Sequence, residues 1–334
     1  MVGLEGKVGI FAKHADGYLL SRYENFPHGR YASLVLARRT ESETIFRTEG
    51  SGEELSKETV LAGLADTRPI RRVVISKRKQ VAVERRTGRE LLREHERLYQ
   101  PKDPKAPVCA LNTNAPCERC IDCMLYGFAV GGGGAQKSRV MTEDAFSLGS
   151  VQQVTGRRTF NATFDNGTMR NPITRAASTS LGEDEYVLPQ AHFLDIETLK
   201  DVTEGELEYV LGNVARSTRY GAISSRQGRI KNTILAIVFT DCEIFSNLEL
   251  TQAVYDRLAN DGELPFPLAD AALQSATDGA IDRLLPGVAS RAPVVLRGAQ
   301  LDGVLSELLA LFREPAAVAQ WLRSVEAGYA DSSR

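Results

Sequence analysis

Four of the five cysteines in this 334-residue chain fall within fifteen positions, and this cluster restricts the possible folds more than any other feature. They are Cys109, Cys117, Cys120 and Cys123, with the spacing C-x7-C-x2-C-x2-C. Cysteines three positions apart on a tight turn can direct two thiolates at one ion, and tetrahedral Zn²⁺ accepts four sulfurs at ~2.3 Å. Four thiolates leave no position for a catalytic water, so a zinc ion held here would be structural.

The spacing alone leaves two alternatives to zinc. An iron–sulfur cluster also uses C-x2-C-x2-C steps, although here the fourth cysteine lies upstream and no proline follows the last one. Unliganded or redox-active thiols are the other alternative. His95 lies close enough in sequence to act as a reserve ligand, and we expect Cys242, in an apolar stretch, to be a buried thiol.

The expected location of the protein favours metal over disulfides. The N-terminus lacks the basic start, apolar run and cleavage site of a secretory signal. The longest apolar run, 234–239, is far shorter than the ~20 residues of a membrane helix. We therefore expect a cytoplasmic protein with no membrane partner, where clustered cysteines bind metal more often than they form disulfides.

Charge is distributed unevenly along the chain. Residues 241–334 hold 14 Asp and Glu against 7 Arg and no Lys, whereas the whole chain has a net charge of only −2. The first 240 residues are therefore net basic, most strongly at 68–97, where 11 Arg and Lys accompany 4 Glu. A basic face that meets a polyanion would have this distribution, and so would an ordinary solvated surface.

The N-terminal half reads as strands interrupted by polar breaks. Strand-like runs occur at 7–12, 31–40 and 44–48, and the basic segment 68–97 begins as a strand and ends as a helix. Four consecutive glycines at 131–134 exclude a stable helix or strand interior there. They also lack the spacing to Lys and Ser that a phosphate-binding loop requires.

The second half is more regular. Within 151–180, Asn166-Gly167 predicts a projecting β-hairpin because both residues tolerate positive φ. Residues 187–245 read as one βαβ unit, in which Thr203 and Glu206 form a capping box. Residues 246–330 read as helices, the last of them starting at Pro315.

Three stretches, in this order and spacing, make the chain resemble a known family over nearly its full length. They are "GRYASLVLARRTESETIFRTEG", "CERCIDCMLYGFAV" running into "KSRV", and "RSTRYGAISSRQGRIKNTI" leading to "SNLEL". The chain resembles the backbone subunit of type I-D CRISPR effector (Cascade) complexes, the Csc-two family of the Cas-seven superfamily of RNA-binding proteins.

The resemblance implies an α+β fold shaped like a hand, formed by residues 1–334 as one unit. A modified RNA-recognition (ferredoxin-like) palm would include 187–245, a β-hairpin thumb 151–180, and a metal-bearing finger or web insertion 80–150, followed by the helical region 246–330. Copies of the subunit would stack head-to-tail along a guide crRNA with other type I-D Cascade subunits. Target DNA would pair with the guide in short segments in antiviral defence.

The basic segments supply the groups for such a role, because a guide-holding protein grips phosphates and leaves sequence recognition to base pairing. The aromatic motif of simple RNA-recognition domains is missing from the sequence, so stacking of bases on the sheet face is not expected. The candidate RNA-binding residues are Arg219, Tyr220, Arg226, Arg229, Lys137, Arg139, Arg157, Arg158, Arg38, Arg39 and Arg47.

Two enzymatic alternatives stay open. The cysteines could hold an iron–sulfur cluster for electron transfer. Alternatively, the subunit could cut bound single-stranded target in a metal-dependent reaction, with a loop carboxylate such as Asp144. No paired carboxylates stand at a spacing that singles out a nuclease site, so a structural, non-enzymatic role is the main expectation.

Overall fold

The structure, a computed structural model, describes residues 9–11, 13–15, 17–47, 55–130, 134–161, 163–178, 181–221, 228–288 and 291–330. Its strands are β1 (Tyr31–Thr40), β2 (Lys57–Leu61), β3 (Pro69–Ile75), β4 (Phe128–Val130), β5 (Gly134–Gln136), β6 (Val140–Thr142), β7 (Ala145–Ser147), β8 (Thr155–Asn161), β9 (Leu181–Val187), β10 (His192–Lys200), β11 (Arg219–Tyr220), β12 (Gly228–Thr240) and β13 (Val294–Leu296). Its helices are α1 (Lys77–Glu94), α2 (Ile121–Tyr126), α3 (Val151–Val154), α4 (Glu204–Arg216), α5 (Asn247–Leu258), α6 (Asp270–Leu284), α7 (Gly298–Phe312) and α8 (Pro315–Ala330), with a 3-10 turn at Leu285–Gly287. Within these ranges no helix is both long and apolar enough to cross a membrane.

Most strands belong to one antiparallel sheet with the order β11-β12-β1-β10-β7-β3-β2. β13 pairs with β12 further along the edge that β11 occupies, and β6 pairs with β10 next to β7. Two short ladders lie outside this sheet, β4 with β5 and β8 with β9. The fold is therefore α+β around an antiparallel sheet, as the family resemblance implies.

β1 is the central strand, and its two faces contact two different helical layers. Almost all of its residues are buried, as expected for a strand covered on both sides. Leu34 and Leu36 belong to a core with α4, α7 and α8, whereas Val35 belongs to a core with α5 and α6. Because side chains alternate between faces, Arg38 and Arg39 at the end of this strand point in opposite directions.

The predicted βαβ unit consists of β10, α4 and β12. Both strands pair antiparallel with β1, which lies between them, so β10 and β12 run parallel to each other. The capping box at the start of α4 is confirmed, since Glu206 accepts a hydrogen bond from the Thr203 N–H at 2.9 Å.

The predicted hairpin is longer than the sequence pattern indicates. Its arms are β8 and β9, so it reaches residue 187 rather than 180. A turn does lie at Asn166-Gly167 in the tip, where Gly167 has a φ of 69° and its N–H donates to the Phe164 carbonyl at 2.8 Å, but Asn166 does not have a positive φ. The arms and this turn are separated by further irregular residues of the tip.

Several local expectations are wrong. The predicted strand at 7–12 is a turn where it is described, and 44–48 contributes only an isolated bridge at Thr44. Cys242 lies beyond the end of β12 and is half-buried rather than buried. Residues 246–330 are largely helical and α8 starts at Pro315 as expected, but the region also contributes the strand β13 to the sheet. Small residues weaken the apolar periodicity of its helix α6, so the sequence does not single this helix out.

Candidate metal centre and nucleic-acid interface

The four clustered cysteines lie together and are buried. Their sulfur atoms all lie within 4.8 Å of one another, with Cys109 Sγ 3.6 Å and Cys117 Sγ 3.9 Å from Cys123 Sγ. Four sulfurs placed tetrahedrally at ~2.3 Å from one ion stand ~3.8 Å apart. The group therefore matches the size of a single structural zinc site.

These distances also bear on the alternatives. In a two- or four-iron cluster the four thiolates are divided among different iron atoms, so the four ligand sulfurs do not all lie as close together as they do here. The close sulfur group therefore favours one metal ion over a cluster. His95, the reserve ligand, does not belong to the group.

The C-x2-C steps explain how the chain gathers these sulfurs. Cys117 Sγ accepts a hydrogen bond from the Cys120 N–H at 3.4 Å, and Cys120 Sγ accepts one from the Cys123 N–H at 3.5 Å. Each step is thus a turn closed on its own sulfur, and the second turn caps the start of α2. Gly127, with a φ of 79°, ends α2 in a conformation that favours glycine.

A buried ion-pair group joins the cysteine loop to α1. Asp122 is fully buried and accepts hydrogen bonds from Arg85 at 2.9 and 3.0 Å and from Arg89 at 2.7 Å. Arg89 also donates to the Cys109 carbonyl. Burial opposes the charge of Arg89, but the Asp122 carboxylate keeps its pKa above the ordinary value. The metal centre is therefore fixed to the body of the protein through α1.

Four of the cationic side chains form a row that we call the basic strip. Arg39 pairs with Lys231 across β1 and β12, and Arg229 pairs with Arg219 across β12 and β11. Directly paired residues project from the same face, and positions 229 and 231 share it by alternation. Arg219, Arg229 and Lys231 are exposed, and Arg39 is half-buried. Lys231 is not among the RNA-binding residues predicted from the sequence. Its spacing of two positions from Arg229 on a strand would have indicated that both side chains project from one face.

One carboxylate sits in part of this strip. Asp270, at the start of α6, accepts from Arg39 at 2.7 Å and from Lys231 at 3.4 Å, and lies 3.3 Å from His192 Nε2. Burial lowers the pKa of His192, so this imidazole adds little charge near neutral pH. Partly exposed ion pairs of this kind contribute little to stability.

A narrow cavity of about 20 Å³ lies where Arg47 approaches the start of α1. Lys79, Ser56 and Gly221 also line it. The first turn of α1 holds Lys77, Arg78 and Lys79 and no acidic residue. Asp144 caps this end of the helix and Asp195 accepts from Lys77, so Lys79 is the partly buried cation of this turn that borders the cavity. Lys79 is not among the RNA-binding residues predicted from the sequence, although the run of three consecutive cations at 77–79 would have indicated it. Arg226 lies outside the described residues.

The hairpin arginines are exposed but face acidic partners. Arg157 and Arg158 on β8 stand opposite Glu185 and Asp184 on β9, which lie beyond the 151–180 window of the sequence reasoning. Arg158 is also paired with Glu43. The arms are therefore close to charge-balanced, and the excess positive charge of the hairpin lies in its tip, at Arg170 and Arg175.

Lys137 and Arg139 differ in their surroundings. Lys137 is exposed directly after β5. Arg139 is largely buried, is paired with Glu206, donates to the Asp201 carbonyl at 3.0 Å and lies over the Tyr23 ring at 4.7 Å. Arg139 is thus placed to hold α4 in position, and Lys137 is the one available to a phosphate.

Arg38 and Tyr220 require a correction, because both lie in the interior. The Arg38 guanidinium is wholly buried and contacts Glu84 at 3.0 Å, Asp195 at 2.6 Å and Glu197 at 2.6 Å. It also donates to the Tyr220 hydroxyl at 3.2 Å. All its strong donors are used inside the protein, so neither side chain reaches RNA in this conformation.

We call this set the buried charge network, completed by three residues that also bond to Asp195. Lys77 Nζ donates to Asp195 at 2.6 Å, Gln80 at 2.8 Å and Asn247 at 3.0 Å. Burial would raise the pKa of Asp195, but the charges of Lys77 and Arg38 hold it well below its usual range. For Glu197, burial and the neighbouring Glu84 charge raise the pKa instead. Three carboxylates thus share two cations, and of Asp195 and Glu197 it is Glu197 that keeps its proton more readily.

Asp144, named above for a nuclease, serves a local role in the structure. Its Oδ1 accepts a hydrogen bond from the Lys77 N–H at 2.9 Å, which caps the start of α1. In the described ranges, the cysteine cluster is the only group of three or more potential ligands close enough to share an ion.

Comparison with known proteins identifies the family of this chain. The family model described as "Csc2 Crispr" matches residues 18–322. The chain belongs to the Csc2 family. This membership supports the role of a backbone subunit in a CRISPR effector complex.

Solved structures agree with the fold. The crystal structure of Thermofilum pendens Csc2 has a TM-score of 0.65 at 19% identity, covering 98% of this chain and 96% of that one. A chain of a "CRISPR RNA-guided surveillance complex" has a TM-score of 0.50 at 9% identity, covering 84% of this chain and 99% of that one. A search of curated proteins gave no match.

Proposed function

We propose that this Csc2-family chain is the backbone subunit of a type I-D CRISPR effector (Cascade) complex. Several copies stack head-to-tail along one guide crRNA in the cytoplasm, together with other type I-D subunits, and the guide is held for pairing with target DNA. The subunit binds the RNA backbone and leaves base recognition to the complementary strand.

The basic strip is the observation that carries this proposal. Arg219, Arg229, Lys231 and Arg39 lie side by side across three strands at one end of the sheet, where their charges can follow a phosphate chain. Arg47, Lys79 and Lys137 are the further exposed or partly exposed cations that we assign to phosphates. Arg226 and the hairpin arginines Arg157 and Arg158 remain proposed contacts.

The parts of the proposed hand correspond to the elements described above. β1, β10, β12 and α4 form the palm, with the RNA-recognition-like arrangement that the family resemblance implies. The hairpin of β8 and β9 forms the thumb. The segment from α1 to β5 forms the metal-bearing insertion.

The metal of this insertion is, in our proposal, one structural Zn²⁺ held by Cys109, Cys117, Cys120 and Cys123. Their sulfur separations fit one tetrahedral ion, and four thiolates are the donor set that zinc prefers. With all four positions filled by protein, the ion supplies folding energy and no reaction chemistry.

A salt titration of RNA binding tests the interface. Affinity of the purified chain for a fluorescein-labelled single-stranded RNA is measured by anisotropy over a range of salt concentrations. Removing two phosphate contacts in Arg219→Ala/Arg229→Ala is expected to weaken binding and to lower the slope of log K against log salt by ~1.4. Arg283→Ala, an exposed arginine of the acidic C-terminal third, is the matched control. Equal slopes for the double variant and the control would contradict the assignment of the strip.

A further inference from the structure

A groove of about 490 Å³ opens beside the metal centre, and the proposed RNA-backbone contacts leave it unexplained. It is lined by Arg89, Asp122 and two of the cysteines, by residues of the loop 110–116, and by Gly127 to Ala129. Its volume falls within the ~300–1,000 Å³ typical of small-ligand sites.

The loop 110–116 offers free hydrogen-bonding groups to this groove. Asn112 and Asn114 are exposed, and their amides make no hydrogen bond within the described part of the chain. The loop is nevertheless constrained, because Cys109 and Cys117 at its ends belong to the metal group. The Thr113 hydroxyl also donates to the Ala110 carbonyl at 3.0 Å. Two amides are thus presented by a loop that is clamped at both ends.

An aromatic ring also lines the groove. It belongs to Phe128, which is only partly buried and also packs against the hydrophobic core. Amides and an aromatic ring in one groove are a combination by which proteins bind unstacked bases, since the ring stacks on the base and the amides bond to its edge. Phe128 also pairs with Gln136, the last residue of β5, and the exposed Lys137 follows directly after that strand.

The charged residues that line the groove argue against other classes of ligand. The Asp122 carboxylate is taken up by Arg85 and Arg89, so it is not available to a metal ion or an amine. The same pairing neutralises much of the positive charge, so a small multivalent anion gains little. The groove therefore suits a neutral, planar ligand with hydrogen-bonding edges, with its phosphate outside.

We propose that this groove binds one unpaired nucleobase of a bound single strand, between Phe128 and the amides of Asn112 and Asn114, with the adjoining phosphate near Lys137. This inference rests on the proposed function and adds a base-binding site to a subunit otherwise assigned to backbone contacts. It also gives the metal centre a task, which is to hold the loop 110–116 in the shape that receives the base.

The test compares two probes, a short oligouridylate and an oligonucleotide with the same ribose-phosphate backbone but with abasic residues throughout. The preference of the full chain for the first over the second is measured by competition against a labelled RNA. Stacking on an aromatic ring predicts a preference of at least ~5-fold for the wild type. Asn112→Ala/Asn114→Ala and Phe128→Leu are each expected to reduce this ratio severalfold and to leave affinity for the abasic strand unchanged. Gln300→Ala, an exposed amide on α7, is the matched control and should keep the full ratio.

The outcomes separate this inference from the proposed function. Equal binding of both probes by the wild type, or an unchanged ratio in both groove variants, overturns the base site and leaves the backbone role in place. Failure of the wild type to bind either probe overturns both. A parallel series with oligothymidylate identifies the source of the base: loss of the preference in DNA assigns it to the guide, and retention also admits the target strand.

Discussion

Removing the Arg38 guanidinium should destabilise the protein strongly and in a pH-dependent way. Arg38 is wholly buried and contacts three carboxylates, those of Glu84, Asp195 and Glu197, at 3.0, 2.6 and 2.6 Å. Arg38→Met keeps most of the apolar volume but leaves these groups with Lys77 as the remaining cation. Breaking a buried ion pair by removing one partner costs about 3–5 kcal/mol in the free energy of unfolding.

The direction of the pH effect follows from the carboxylates. In the wild type, Lys77 and Arg38 depress the pKa of Asp195. The ionised Asp195 therefore stabilises the fold above its unfolded-state pKa, and this stabilisation is lost as pH falls. In Arg38→Met the carboxylate pKa values rise, so the variant loses stability as pH increases. The gap between the two proteins is therefore expected to be largest near pH 8 and smaller near pH 5.

Urea unfolding followed by circular dichroism measures this gap, with the metal retained in both proteins. Arg86→Met, an exposed arginine on the same helix α1, is the control and should change stability by less than about 0.5 kcal/mol. Adding Glu197→Gln to Arg38→Met should recover part of the loss, because it removes one uncompensated carboxylate. A loss below about 1 kcal/mol, or one that does not vary with pH, would refute the reasoning that the network is buried and charge-coupled.

Three further predictions concern other parts of the chain. Cys120→Ser should lower the zinc content, measured by atomic absorption, and weaken assembly on RNA; unchanged metal and RNA binding would refute the structural clip. Burial and the neighbouring Glu204 raise the pKa of Glu208 to about 7, so the wild type should lose stability as pH rises through 7. Glu208→Gln should remove this loss, which amounts to as much as about 3 kcal/mol in thermal unfolding; the same pH dependence in the variant would contradict the assignment. We also propose that the acidic C-terminal third contacts the basic surface of a neighbouring copy. Asp302→Lys/Glu307→Lys, on an exposed face of α7, should then shorten the assemblies formed on long RNA in electron micrographs; unaffected assembly would exclude that contact.

The features that depend on local pattern could be predicted from the sequence. The central strand β1 follows from an apolar run, and the start of α4 from a capping box, because each is determined by neighbouring residues. The cysteine cluster is predictable for the same reason, since its C-x2-C turns close on their own sulfur atoms.

The features that depend on distant partners could not be predicted. Arg38 and Arg39 are neighbours in a basic run, yet one is buried and the other borders the surface, because the partners of Arg38 come from residues 84, 195 and 197. Similarly, the arginines of β8 look like an unbalanced basic arm until β9 brings carboxylates opposite them. Composition indicates a basic surface, but only the packed structure separates structural cations from available ones.

The most direct test of the proposed role is to purify the chain after co-expression with a CRISPR array and its partner subunits, and then to identify what remains bound. We expect a short RNA of uniform length and repeat–spacer type to co-purify with several copies of the chain, each of which holds one zinc ion. Chain purified without RNA at low salt, or with RNA of random length and sequence, would contradict it.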